Sequence, residues 1–192
     1  MCHSPSTAPA GQPTKKHGQY IRRPQVVLAP PQGMGSSQWA LRQGSAQEPI
    51  RCAIFISGSG SGMEAMIRHQ QVNSACGHET VLVISDRPGV KGLERAEALG
   101  VKSTCIPLPQ DNTDANQRRL THEENIQQLL DDSSIELILL SGYMRLVSPR
   151  FVEKWSPYLI NIHPSLLPAF PGVHAHRDVI NSGVHVSGCT VH

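Results

Sequence analysis

From residue 51 onward, apolar residues fall in short unbroken runs separated by stretches of helical spacing. Residues 52–57 (CAIFIS), 80–85 (TVLVIS) and 136–141 (ELILLS) are apolar almost throughout, which predicts strands buried on both faces. Residues 102–106 predict a shorter strand, and 158–162 another. Between them, 63–72 and 92–99 (GLERAEAL) have helical spacing, the second ended by Gly100 in the position after the last turn. A long polar helix is predicted over 115–131. Strand and helix alternating in this way predict an α/β fold, a doubly wound, mostly parallel sheet with helices on each side. Ligands of such a sheet gather where loops leave the carboxyl ends of its strands.

Upstream of Arg51 this pattern is lost. Residues 1–50 hold seven Pro, five Gly, five Ser and seven Gln, with no sustained period of 2 or 3.6. Such a composition cannot bury enough apolar surface to offset its ordering entropy. Residues 1–50 are therefore expected to be a disordered, basic extension and 51–192 a domain. Charge divides at the same point: five Lys/Arg and one acid in the first part, 12 bases and 14 acids in the second.

Composition narrows the class. With 192 residues, 39% apolar and 17% charged, the chain has room for one globular domain but hardly two. No run approaches the roughly 18 apolar residues of a membrane span, and no apolar core of a secretory signal is present. A cytoplasmic location is expected, with neither nucleic acid nor membrane as partner. Five cysteines, widely spaced, fit neither a disulfide framework nor a CxxC zinc site, so reduced thiols are expected.

Three places carry candidate chemistry. Ser57-Gly58-Ser59-Gly60-Ser61-Gly62 lies between the first strand and the first helix, where successive N–H groups and a helix N-terminus make a cradle for a phosphate. A flexible Gly/Ser turn would read the same. It is no Walker A loop, and the acid at the end of the second strand, Asp86, is followed by Arg87-Pro88, unlike a dinucleotide fingerprint. In the segment 157–176 (PYLINIHPSLLPAFPGVHAH), Asn161 and His163 share one side of a strand, followed by a loop stiffened by Pro164, Pro168 and Pro171. Together they offer donors for a developing oxyanion and a general acid that titrates near neutral pH; the alternative is that they cap a turn. Arg145 and Arg119 could each clamp a carboxylate or be solvated charges. The histidines at 163, 174, 176 and 185 lack the spacing of a metal site, so no metal is expected.

Taken together these residues resemble a known family. Ile56-Ser57-Gly58-Ser59-Gly60-Ser61, Gly92-Leu93-Glu94-Arg95-Ala96, Ser141-Gly142-Tyr143-Met144-Arg145-Leu146, Asn161-Ile162-His163-Pro164-Ser165-Leu166-Leu167-Pro168 and Gly188-Cys189-Thr190-Val191-His192 are similar, in order and spacing, to the phosphoribosylglycinamide formyltransferases. The similarity covers essentially all of 51–192. It implies the formyltransferase fold and transfer of a formyl group from 10-formyltetrahydrofolate to the amine of glycinamide ribonucleotide, in de novo purine synthesis. It implies that Gly60, Ser61 and Gly62 hold phosphate and ribose, with Gly62 standing where the family usually has Asn. Arg119, Met144, Arg145, Leu146, Val147 and Asn161 would bind the folate, Arg119 on the side of its glutamate tail. Asn161 and protonated His163 would be the catalytic pair. In the family the Gly-Cys-Thr-Val-His strand runs on to an Asp-x-Gly motif whose aspartate pairs with the catalytic His. The last strand and C-terminal helix are thus expected to be missing from this chain, which ends at His192. The resemblance also implies that such a domain is either separate or part of a multifunctional purine-synthesis protein. A truncated fragment that at most binds nucleotide, and a methionyl-tRNA formyltransferase-like enzyme, are the alternatives.

Overall fold

The computed structural model of the chain describes residues 42–110 and 114–192. Strands Ile50–Ile56 (β1), His78–Ser85 (β2), Ser103–Cys105 (β3), Leu137–Leu140 (β4), Leu159–His163 (β5) and Thr190–Val191 (β6) form a six-stranded sheet in the order β3-β2-β1-β4-β5-β6. β1 pairs in parallel with β2 and β4, β2 with β3, and β4 with β5, while β6 runs antiparallel to β5. Helices Ser61–Val72 (α1), Lys91–Ala98 (α2), Ala115–Asp132 (α3), Pro149–Trp155 (α4) and Ala175–Asn181 (α5) connect them. The doubly wound, mostly parallel α/β sheet expected from the pattern is the architecture found.

The period of two along β1 divides the core. Ala53 and Phe55 pack on one face with Leu82, Ile84 and Ile138, against Ile126 and Leu130 of α3 and Phe151 and Trp155 of α4. Cys52, Ile54 and Ile56 pack on the other with Val83 and Leu139, against Met63 and Ile67 of α1 and Ala96 of α2. Both faces are covered, which is why the strands read as continuous apolar runs rather than alternating ones. Ile54 is only 1% exposed, and burying such a side chain contributes about 1.5–3 kcal/mol.

Local signals fix the helix ends. Asp114 caps α3, its carboxylate accepting from the N–H groups of Asn116 and Gln117 at 2.8 and 2.9 Å. α4 begins on Ser148-Pro149, whose hydroxyl accepts from the Phe151 N–H at 3.2 Å. Neither α4 nor α5 is among the helices predicted from spacing, because each is only seven residues long. Among the described residues no helix is long and apolar enough to cross a membrane.

Residues upstream of Arg51 also make contacts. Arg42 donates from Nε to Glu136 Oε1 at 2.6 Å and from a terminal nitrogen to Oε2 at 2.8 Å, and its guanidinium reaches the carbonyls of Glu48 and Pro49. Glu136 Oε2 in turn accepts from the Arg51 N–H at 3.0 Å. Residues 1–41, most of the expected extension, lie outside the described residues.

Strand order decides where a ligand can enter. From β1 the chain winds outward through β2 to β3, then returns by α3 to β4 on the other side of β1. The loops leaving β1 and β4 diverge at this switch point and leave a crevice at the carboxyl edge of the sheet.

Candidate active site

Two loops meet in that crevice and are braced to each other. The Ser57 N–H donates to the Gly142 carbonyl at 3.2 Å, and the Met144 N–H donates to the Ser57 hydroxyl at 2.8 Å. The glycine-rich loop after β1 is thus held against the Met144-Arg145 segment after β4. Gly60 caps α1 with φ +65°, a left-handed conformation that favours glycine, and among the described residues no side chain caps the helix N–H groups. A Cβ at Gly60 would lie 2.8 Å from the Gly92 Cα, and one at Gly92 would lie 2.8 Å from the Gly58 carbonyl oxygen. The N-termini of α1 and α2 pack glycine to glycine. At Gly62 a Cβ would meet the Ser141 hydroxyl at 2.6 Å, so Ser141 fills space that a side chain at 62 would need. Gly60, Ser61 and Gly62 lie together at the uncapped start of α1.

Beside this loop is a cavity of about 330 Å³ whose lining includes Arg119, Met144, Arg145, Leu146 and Val147, all expected site residues. Phe55, Ile126 and Phe151 supply apolar wall. The size and character suit a small-molecule site, which typically spans roughly 300–1,000 Å³.

Several lining residues lie outside the expected site. His122, 2% exposed, meets the Tyr143 hydroxyl through Nε2 at 2.9 Å. Burial pushes His122 below its ordinary pKa, the Pro107 carbonyl opposing, and burial pushes the Tyr143 phenol well above its own. Both are therefore neutral near pH 7. Glu123, 8% exposed, accepts from the N–H of Ser148 at 2.7 Å and from its hydroxyl, tying α3 to the start of α4. Arg119, His122, Glu123, Ile126 and Leu130 recur at three- and four-residue steps along α3, and this 3.6 period was the available signal.

Asn161 and His163 lie two apart on β5, as the strand pattern implies, and Asn161 pairs with Leu140 at the end of β4. They are not among the lining residues of the cavity. His163 Nε2 lies 3.0 Å from the Phe170 carbonyl. A carbonyl can only accept, so this nitrogen carries a proton. Phe170 holds φ +53°, unusual for a side chain other than glycine, and its carbonyl also accepts from the Ser165 hydroxyl at 3.1 Å. Asn161 donates from Nδ2 to His192 Nε2 at 2.9 Å. Thr190 ties the proline loop to β6, its hydroxyl donating to the Ser165 carbonyl at 2.7 Å and accepting from the Leu167 N–H at 2.9 Å.

Among the described residues no cluster of three or more His, Cys, Asp or Glu side chains forms a metal site. Cys52, Cys76, Cys105 and Cys189 are free thiols, and burial pushes Cys52 up to about 12.

Comparison with known proteins identifies the family. The family model described as "Formyl transferase" matches residues 50–192. The trifunctional purine biosynthetic protein adenosine-3 of Gallus gallus is 40% identical over 151 residues, 78% of this chain and 14% of that protein. Phosphoribosylglycinamide formyltransferase of Bacillus subtilis is 39% identical over 142 residues, covering 73% of this chain and 69% of the relative. The crystal structure of phosphoribosylglycinamide formyltransferase from Brucella melitensis superposes with a TM-score of 0.67 at 41% identity, over 75% of this chain and 72% of that one. The chain thus spans about a seventh of the trifunctional relative and about two thirds of the bacterial one. The chain belongs to the formyl transferase family, alongside the phosphoribosylglycinamide formyltransferases.

Proposed function

We propose that the domain transfers a formyl group from 10-formyltetrahydrofolate to the amine of glycinamide ribonucleotide, a step of de novo purine synthesis in the cytoplasm. The observation that carries this reading is the convergence of Arg119 and the 144–147 segment on one cavity, braced directly to an uncapped helix N-terminus with a glycine loop. The apolar wall suits the planar rings of a folate, and the two arginines suit its anionic glutamate tail. Gly60, Ser61 and Gly62 would hold the ribonucleotide phosphate through backbone N–H groups.

Asn161 and His163 would supply the catalytic groups. As the amine forms its bond to the formyl carbon, the carbonyl oxygen becomes an oxyanion, for which Asn161 Nδ2 and the Nε2 proton of His163 are suitable donors. The amine loses one proton and the departing folate nitrogen gains one, with His163 as the group that carries it. Both donors are engaged in the protein, Asn161 with His192 and His163 with Phe170, so substrate must exchange for those partners. The bound folate supplies the formyl group; the chain supplies position and donors.

The test is tetrahydrofolate release by the purified chain with 10-formyltetrahydrofolate and either glycinamide ribonucleotide or methionyl-tRNA as acceptor. Turnover with the ribonucleotide alone is expected. His163→Ala should lower kcat roughly 10²–10⁴-fold while leaving folate affinity and the melting transition in place. A His163→Ala variant at the parent rate overturns the assignment of that residue. Formylation of methionyl-tRNA, or folate binding with no turnover, overturns the ribonucleotide reading.

A further inference from the structure

Asp86 directly follows the carboxyl end of β2, is 3% exposed and lies outside the glycine-rich loop after β1. Its Oδ2 accepts from Arg145 Nε at 2.8 Å and lies 3.8 Å from Arg87 Nε. Its Oδ1 has no hydrogen-bond partner among the described residues. A carboxylate so deeply buried is costly unless paired, and its close hydrogen-bonded partner is an arginine that lines the cavity. The contact is made side-on through Nε, which leaves the terminal nitrogens of Arg145 available to a second anion. Arg145 is anchored at its root and still partly exposed, with 38% of its side chain accessible. An arginine on a loop otherwise has many rotamers, and holding one in advance removes that ordering cost from ligand binding.

From this geometry we infer that Asp86 is a positioning residue for ligand binding: it orients the Arg145 guanidinium across the mouth of the cavity to receive a carboxylate of the bound co-substrate. The inference rests on the folate reading above and goes beyond it, since Asp86 touches no ligand and acts through Arg145. The carboxylate in question is one of the two on the glutamate tail, because the rest of a folate carries none.

The test is a double-mutant cycle read by calorimetric titration of the full chain with 5-formyltetrahydrofolate, a stable reduced folate, and with the amide of pteroic acid, which has neither glutamate nor any other carboxylate. Asp86→Asn should weaken 5-formyltetrahydrofolate about tenfold, as losing a charge-assisted hydrogen bond commonly does. Arg145→Gln should weaken it at least as much, and the double variant no more than Arg145→Gln alone. The pteroic amide should bind all four proteins alike. Arg145→Lys keeps the charge but loses the Nε anchor, and should also weaken the tailed ligand, which serves if Asp86→Asn fails to melt cooperatively. Unchanged affinity in Asp86→Asn or Arg145→Lys, additive losses in the double variant, or equal losses for the pteroic amide each overturn the positioning role and leave the folate reading intact. No binding by the parent chain overturns the folate reading and this inference with it.

Discussion

His122 shows how one buried side chain sets a pH dependence. Its ring is enclosed between α3 and the Tyr143 loop, and burial holds it neutral below its ordinary pKa. The unfolded chain binds that proton near pH 6.5, while the folded chain resists it. Between the two values the unfolded state holds more protons, so stability rises with pH and falls as pH drops below about 6.5. Melting temperatures from pH 7.5 to 5.5 should therefore fall more steeply for the parent than for His122→Gln; equal slopes would remove His122 as the cause. The carboxylates held low, Glu64 by its hydrogen bond to Arg68 and Glu136 by that to Arg42, lose their contribution only as pH falls through the acid range below about 4.5. At this scale the sequence showed Asn161, His163 and the arginines, because alternation along a strand and charge after a strand can be read locally. It did not show Asp86 paired with Arg145, since 59 residues separate them and only the parallel sheet makes them neighbours.

At the scale of elements, the strand-loop-helix units after β1 and β2 depend on two glycines pressed together. Gly92 donates its N–H to the Gly58 carbonyl at 3.1 Å, and a Cβ there would lie 2.3 Å from Ile56 Cδ1 as well as against backbone. Because the Gly58 carbonyl cannot turn aside without opening the loop, Gly92→Ala should cost about 1–3 kcal/mol. The same change should weaken ribonucleotide binding, because it moves the α1 N-terminus. A melting temperature within a degree of the parent would contradict this packing. The Gly92-Leu93-Glu94-Arg95-Ala96 run was legible as a helix, but its glycine had no explanation until α1 and α2 were seen to touch. α4 has a legible Ser-Pro start, but so short a helix gives too few turns for periodicity to register.

At the scale of the whole molecule, contacts of the fold reach upstream of the change of texture at Arg51. Arg42 bridges Glu136, at the entry to β4, to the carbonyls of Glu48 and Pro49. A chain beginning at residue 42 should accordingly melt a few degrees above one beginning at residue 50, and equal transitions would show the bridge to be without effect. The sequence by itself determined the α/β alternation, the two-sided burial of the strands and the Asn161/His163 spacing, all of which rest on neighbours within a few residues. Tertiary structure decided the strand order, the crevice between β1 and β4, the cavity that gathers Arg119 with Met144 to Val147, and the burial of Asp86, His122 and Glu123. Each of these depends on which distant segments the sheet makes adjacent, and adjacency is a property of how the covered faces pack rather than of any local pattern.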